Sequence, residues 1–142
     1  MKGYTATLPS GEAIHYVDRK RYLWTLSVLY PLQPFIGIGL HAETGQEAWL
    51  LLPLLLAYVV NPLIDAFVGE DTNNPPEAVV IQLDRDPFYR ILTYVVVPLH
   101  FVALIGSAWW AGTQDLSWWA FIGLAVIAGI TSGLGINTGH EL

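Results

Sequence analysis

Residues 91–112 read ILTYVVVPLHFVALIGSAWWAG, an apolar run without any Asp, Glu, Lys or Arg. A helix of about 20 such residues is long enough to cross the hydrocarbon core of a bilayer. Three further stretches are similarly apolar, at 22–40, 48–68 and 118–136. Together the four stretches fill most of the chain. We therefore predict an all-α integral membrane protein with four transmembrane helices.

The composition of the whole chain agrees with a protein embedded in membrane lipid. Hydrophobic residues make up 54% of the 142 residues and charged residues only 13%, a balance that is unusual for a soluble domain. The net charge of −6, without a basic patch, argues against nucleic acid as a partner. The absence of cysteine excludes disulfides, iron–sulfur clusters and thiolate nucleophiles in this sequence.

The basic residues predict the orientation of the chain, because cytoplasmic loops are enriched in Lys and Arg. All six lie either before the first apolar stretch or between the second and the third: Lys2, Arg19, Lys20, Arg21, Arg85 and Arg90. Both ends of the chain are therefore expected on the cytoplasmic side. No short apolar core with a small-residue cleavage site precedes the first stretch, so no cleavable signal peptide is expected. We divide the chain into a cytoplasmic segment, 1–21, and a membrane domain, 22–142.

Polar side chains recur at helical spacing in the second apolar stretch. Ala57, Asn61 and Asp65 are four residues apart and share one face of a regular helix. A carboxylate in hydrocarbon is costly unless it is paired or hydrated. Two interpretations follow: either this face points into the helix bundle, or Asp65 reaches the water at the membrane surface.

His100 lies deep in the third stretch, at heptad spacing from Thr93 and Ser107. A buried histidine can stay neutral and donate one ring N–H to a neighbouring helix, which would be a packing role. Ionisable groups inside membranes also mark functional sites, so a functional role is the second interpretation. His15 and His41 lie in polar flanking regions and are expected to be solvated.

The loop after the second stretch contains a helix-start signal. Asn74 precedes two prolines, and a capping residue followed by proline is typical of a helix N-terminus. We predict a short interfacial helix at 75–84 on the cytoplasmic face, with Val79, Val80 and Leu83 packed toward the membrane.

The fourth stretch is rich in glycine. It contains two GxxxG pairs, Gly129 with Gly133 and Gly135 with Gly139. Glycines at this spacing let the backbone of another helix approach closely. We therefore predict close helix packing near the end of this stretch.

The last residues read NTGHEL, at 137–142. A second histidine four residues after His140 would place two imidazoles on one helical face, which suits iron or zinc. That residue would be 144, beyond this sequence. Taken alone, His140 is a weak signal, since a histidine at a helix end is more often a cap or a surface residue. Asn137 lies three residues earlier and shares its face.

The sequence resembles the integral-membrane alkane 1-monooxygenases (alkane hydroxylases). NTGHEL is similar to the start of that family's first histidine box, HELGHKK. Further similar segments cover most of the chain from Tyr16 onward: YVDRKRYLW at 16–24, PLID at 62–65, GED at 69–71, NNPPE at 73–77, YR at 89–90, LTY at 92–94, Pro98, His100, SAWW at 107–110 and GTQ at 112–114.

The resemblance implies a six-helix membrane enzyme, of which this sequence would be an N-terminal fragment. Such enzymes use a histidine-rich, non-haem centre of two iron ions to oxidise the terminal methyl group of medium-chain n-alkanes to 1-alkanols. The reaction consumes O₂ and electrons from rubredoxin. The location implied is the inner membrane of a bacterium. One histidine cannot hold two irons, so the fragment alone is expected to be inactive.

The resemblance also suggests roles for individual residues. His140 would be an iron ligand, and Asp65 and Asn137 would at most orient the ligands. Independently of the resemblance, the shared face of Ala57, Asn61 and Asp65 suggests the wall of a substrate channel running toward the metal, for which the candidates are Ala57, Asn61 and His100.

Two other functions stay open. Membrane fatty-acid desaturases and hydroxylases also use histidine boxes, and only the sequence after Leu142 would distinguish them. The non-enzymatic alternative is a four-helix scaffold or transport subunit. A transporter would be expected to have broken helices or charged residues at the midplane.

Overall fold

The computed structural model describes residues 2–69 and 74–140, with side chains described as far as Gly133. Within these ranges the chain is helical apart from an N-terminal hairpin, which confirms the predicted all-α membrane class. The strands are β1, Lys2–Thr7, and β2, Ala13–Asp18. The helices are α1, Arg21–Thr44; α2, Glu47–Val68; α3, Glu77–Asp84; α4, Pro87–Thr113; and α5, Trp118–His140.

Three of these helices, α1, α2 and α4, are long and apolar enough to cross a membrane. The chain is therefore a multi-pass membrane protein. α5 is apolar over Trp118–Gly133, the part whose side chains are described, and this part is shorter than a full span. The fourth predicted transmembrane helix accordingly stays a prediction.

α1 changes its winding at its prolines. Arg21–Leu32 forms a 3₁₀-helix, whereas Gln33–Thr44 is α-helical. Pro31 and Pro34 lie on either side of the junction, and both are buried. Proline lacks the N–H that the helical ladder needs and clashes with the preceding turn, so a regular α-helix does not continue through this segment.

α2 contains a π-helical turn at Leu56–Val60, followed by α-helical Asn61–Val68. Pro62 would clash with the carbonyl group four residues earlier in a regular α-helix, and the wider turn relieves this conflict. A π turn has more residues than an α turn. Four steps through this wider turn still come close to one full turn, so Ala57 and Asn61 remain on about the same face of α2.

A glycine brings α1 and α2 into direct backbone contact. A Cβ atom at Gly37 would lie 2.6 Å from the carbonyl oxygen of Trp49. Any side chain at this position would therefore push the two helices apart. Gly123 of α5 similarly makes room for the side chain of Leu51.

The predicted close packing at the GxxxG pair of α5 is wrong for the described part of the chain. A Cβ atom at Gly129 or Gly133 would meet nothing within 4 Å. The surroundings of Gly135 and Gly139 lie outside the described residues. The glycines that do contact neighbours lie closer to the other end of the helices, where α1, α2 and α5 meet.

The predicted interfacial helix is present as α3 but begins later than expected. Its cap is Pro76, and not Asn74. The residue before a proline disfavours helical backbone angles, so Pro75 is held out of the helix by Pro76. Val79 is fully buried and Val80 is exposed, and the packing of Val79, Val80 and Leu83 toward the membrane stays a prediction.

The N-terminal hairpin was not predicted. β1 and β2 pair antiparallel with Tyr4 opposite Tyr16, and the two rings stack with centroids 6.5 Å apart. Gly11 adopts a φ of +86° in the connecting turn, a conformation that favours glycine. The strands are short and polar, which explains why they have little signal in the sequence.

α4 and α5 form an antiparallel pair at the centre of the described structure. The buried residues of α4 recur every three or four positions: Val96, His100, Ala103 and Ser107. Their spacing is that of one face of an α-helix. The facing side of α5 is also mainly apolar and buried: Ala120, Leu124, Ile127, Ala128 and Thr131.

Candidate functional site

The predicted iron ligand lies at the end of α5. The backbone is helical as far as His140. The side chains of His140 and Asn137 lie outside the described residues, and so do Glu141 and Leu142. Metal ligation by His140 therefore stays a prediction.

Among the described side chains, no three His, Asp or Glu groups come close enough to hold a metal ion. His15 is exposed on the hairpin, His41 lies near the end of α1, and His100 is in the middle of α4. The described residues therefore do not fit an iron centre by themselves.

His100 is buried between α4 and α5. Its side chain is 7% exposed, and the ring lies beside the backbone of Thr131 on α5. Its Nδ1 atom has no hydrogen-bond partner in the described part of the chain. Burial against the neighbouring helix agrees with the packing interpretation of this histidine, and the role in a channel stays a prediction.

The contact between His100 and Thr131 shows how α4 and α5 are aligned. Because the helices are antiparallel, a step forward along α4 from His100 corresponds to an equal step backward along α5 from Thr131. This correspondence places Ala111 level with Ala120. These two residues do lie in the same apolar cluster. The same correspondence places His140 of α5 level with Ile91 of α4. Ile91 lies about 14 Å from His100 along the helix axis, at about 1.5 Å per residue.

The polar face predicted on α2 is not covered by the residues that the structure describes. Ala57 is half-buried, but Asn61 and Asp65 are exposed. Within the described ranges Asn61 and Asp65 do not pack into the bundle, and the two interpretations of this face, packing into the bundle or access of Asp65 to water, both stay predictions.

A buried charge cluster joins the hairpin to α1 and α4, and sequence analysis missed it. Asp86 is 4% exposed and accepts hydrogen bonds from Lys2 Nζ at 2.8 Å and Tyr4 Oη at 2.6 Å. Arg21 donates to both carboxylate oxygens. The backbone N–H of Phe88 also donates to Asp86, which thereby caps the start of α4.

The electrostatics of this cluster follow from these contacts. The hydrogen bonds from Arg21, Lys2 and Tyr4 hold the pKa of Asp86 well below its usual range. Burial and the hydrogen bond to the Asp86 carboxylate raise the pKa of Tyr4 to about 12. Asp86 directly before Pro87 is a helix-cap signal that the sequence contains, but its distant partners have no local signal.

A second contact connects the hairpin to α4. Asp18 is buried and accepts a hydrogen bond from the hydroxyl of Tyr89. It also accepts one from the backbone N–H of Lys20, at 2.9 Å. The N-terminal segment is therefore attached to the start of α4 at two buried carboxylates.

The opposite ends of the helices are joined by Glu47. Its carboxylate accepts hydrogen bonds from the backbone N–H of Ser117, at 2.7 Å, and from the Ser117 hydroxyl. This contact links the start of α2 to the start of α5. His41, which was expected to be solvated, is half-buried instead and lies edge-on against Trp110, with ring centroids 5.9 Å apart.

Comparison with known proteins finds relatives that are similar along the whole of this chain, although no family model matches it. The chain is 51% identical to an alkane 1-monooxygenase of Pseudomonas putida over 142 residues, which is all of this chain and 35% of the relative. It is 55% identical to an alkane 1-monooxygenase of Ectopseudomonas oleovorans over 131 residues, 92% of this chain and 33% of the relative. Alkane 1-monooxygenase 1 of Alcanivorax borkumensis is 54% identical over 127 residues, which cover 89% of this chain and 31% of the relative. The chain thus spans about a third of the length of the curated relatives it matches.

Proposed function

We propose that this chain, which is related over its whole length to alkane 1-monooxygenases, forms the N-terminal membrane part of a non-haem diiron alkane hydroxylase. The complete enzyme inserts one atom of O₂ into a terminal C–H bond of a medium-chain n-alkane and releases a 1-alkanol. The second oxygen atom leaves as water, with two protons and with two electrons that rubredoxin supplies. The observation that supports the proposal is the identity of 51% to a protein of that name across all 142 residues.

The metal centre in this proposal needs ligands from outside the described residues. His140, at the end of α5, contributes one ligand. Asp65 and Asn137 orient ligands through hydrogen bonds. One histidine cannot hold two iron ions, and so the chain by itself has no hydroxylase activity.

The described helices supply the path for the substrate. We assign Ala57, Asn61 and His100 to the wall of this path, since a small residue and two polar ones lie within otherwise apolar helices. Asn61 and Asp65 are exposed, and amide and carboxylate groups are costly in hydrocarbon. We infer that residues outside the described ranges cover this face in the complete enzyme.

The proposed location is the bacterial inner membrane, with the segment 1–21 in the cytoplasm and 22–142 forming the membrane domain. The cluster at Asp86 supports this orientation. It places Lys2 and Arg21 beside the start of α4, so that basic residues gather at one end of the helices.

A chimeric enzyme tests the proposal. The matching third of the Pseudomonas putida relative is replaced by this chain, and the conversion of octane to 1-octanol is measured in membranes with added rubredoxin. The expected result is 1-octanol formation by the chimera and none by the 142-residue chain alone. A chimera that folds but forms no alcohol, or that desaturates acyl lipids, would overturn the proposal in favour of a desaturase or a non-enzymatic subunit.

A further inference from the structure

A groove runs along the seam between α4 and α5. It encloses about 310 Å³. Residues Leu104 to Gly112 of α4 line it, and they extend over about 12 Å at about 1.5 Å per residue. Small side chains form much of its surface: Ala108, Ala111, Gly112, Ala125 and Ala128. A groove of this length with a mainly apolar lining can hold an extended alkyl chain.

One buried hydroxyl group lines the groove. Ser107 is 1% exposed, and its Oγ atom has no hydrogen-bond partner among the residues that the structure describes. Buried polar atoms in proteins nearly always have such a partner, because leaving one unpaired is costly. An apolar cavity with one well-placed polar group is the usual form of a site for a small, mostly apolar ligand.

The position of the groove separates it from the predicted metal ligand. The alignment of the helices brings Ser107 level with Leu124, which is about 24 Å along α5 from His140 at about 1.5 Å per residue. A molecule bound here therefore does not have its reacting carbon at the metal. His100, whose Nδ1 also has no partner in the described chain, lies between the two, about 10 Å from Ser107 along α4.

We propose that this groove binds the 1-alkanol product after it leaves the metal centre, with its hydroxyl on Ser107 Oγ and its alkyl chain along Ala108 and Gly112. This inference rests on the proposed function. An alkane has no polar atom to pair with Ser107. A phospholipid carries its oxygens near the headgroups, whereas Ser107 lies about 9 Å inside the end of α4 at Thr113. A linear primary alcohol has both the apolar body and the single polar end that the groove requires.

The test uses the 142-residue chain in phosphatidylcholine nanodiscs and measures binding without turnover. A 1-octanol analogue with a diazirine on the alkyl chain is photolysed, and the labelled peptides are identified by mass spectrometry. We expect labelling within residues 104–112 and 121–128. Unlabelled 1-octanol should suppress this labelling at a concentration about fivefold lower than octane needs, because one additional hydrogen bond strengthens binding by about that factor.

Three variants make the test specific. Ser107→Ala should remove the preference for 1-octanol over octane, and Ser107→Thr, which keeps a hydroxyl, should restore it. Ser27→Ala is the matched control, because the Ser27 hydroxyl donates to the Trp24 carbonyl, outside the groove. Labelling elsewhere, equal competition by the two compounds, or a preference that survives Ser107→Ala would each overturn the inference.

The outcomes also separate this inference from the proposed function. If the chimera forms 1-octanol but Ser107→Ala leaves the binding preference intact, the function stands and the product site is wrong. If the chimera forms no alcohol while the groove binds 1-octanol through Ser107, the alcohol site stands and the proposed reaction is wrong.

Discussion

Arg21 donates hydrogen bonds to both carboxylate oxygens of Asp86, from Nη1 at 2.5 Å and from Nη2 at 3.1 Å, across 65 positions of sequence. The guanidinium group also lies over the ring of Phe88, 4.1 Å from its centroid. The first residue of α1 is thereby fixed to the first turn of α4. This contact determines how two membrane helices start side by side at one end of the structure.

The first prediction concerns the loss of the Asp86 charge. Asp86→Asn leaves the largely buried guanidinium group of Arg21 without its carboxylate partner, and breaking a buried ion pair costs about 3 kcal/mol or more, whereas Lys2 is half-exposed and can turn to solvent. The free energy of unfolding in detergent, measured by denaturant titration, should fall by about that amount. Asp115→Asn, in the exposed loop before α5, should change it by less than about 0.5 kcal/mol. Equal effects of the two substitutions would contradict the structural role of Asp86.

The second prediction concerns alkaline pH. The folded-state pKa of Tyr4 is raised to about 12, above the ordinary value of about 10. A raised pKa means that the folded state holds its proton more tightly. The contribution of Tyr4 to stability is therefore complete below about pH 10 and is lost as the pH rises toward 12. The free energy of unfolding, measured from pH 9 to 12, should decrease less in Tyr4→Phe than in the parent chain. In Tyr22→Phe, at an exposed position, it should decrease with pH as steeply as in the parent chain.

The third prediction uses two glycines of α1. Gly37→Ala places a Cβ atom 2.6 Å from the Trp49 carbonyl oxygen and should destabilise the fold by about 1–3 kcal/mol. Gly39→Ala meets nothing within 4 Å and should be neutral or slightly stabilising, since alanine favours helix. Thermal unfolding in detergent compares the two. A similar stability of the two variants would show that α1 and α2 are not in backbone contact.

The fourth prediction concerns the substrate path. Ala57 is small and half-buried in α2. Ala57→Trp in the chimeric enzyme should shorten the longest alkane that is accepted, because the indole fills space along the path. The products from a series of n-alkanes report this directly. The exposed Val59→Trp on the same helix is the control, and an unchanged chain-length profile in Ala57→Trp would remove Ala57 from the path.

Much of the fold could be predicted from the sequence because lipid leaves a segment few choices. A long apolar segment must satisfy its backbone hydrogen bonds internally, so residues 91–112 indicate a helix without reference to their neighbours. The two prolines after Asn74 likewise signal α3, although consecutive prolines delay its start. These features depend on residues that are close together in the chain.

The features that sequence analysis missed depend on distant partners or on local exceptions. Asp86 gains its importance from Lys2, Tyr4 and Arg21, and no local pattern connects them. GxxxG spacing permits close packing but does not say which glycine meets a partner, and among the described residues the backbone contact falls at Gly37, outside any GxxxG pair. The π turn before Pro62 is a local exception of this kind, because the spacing of the polar residues in α2 does not indicate it.

The proposed role of His140 as an iron ligand is tested most directly by measuring the iron content of the chimeric enzyme with and without this histidine. The purified chimera should contain two iron ions per molecule and convert octane to 1-octanol. His140→Ala should lose iron and fall below detectable turnover, whereas His15→Ala, on the exposed hairpin, should retain both. Full iron content and full turnover in His140→Ala would contradict the claim that this chain contributes a ligand to the catalytic centre.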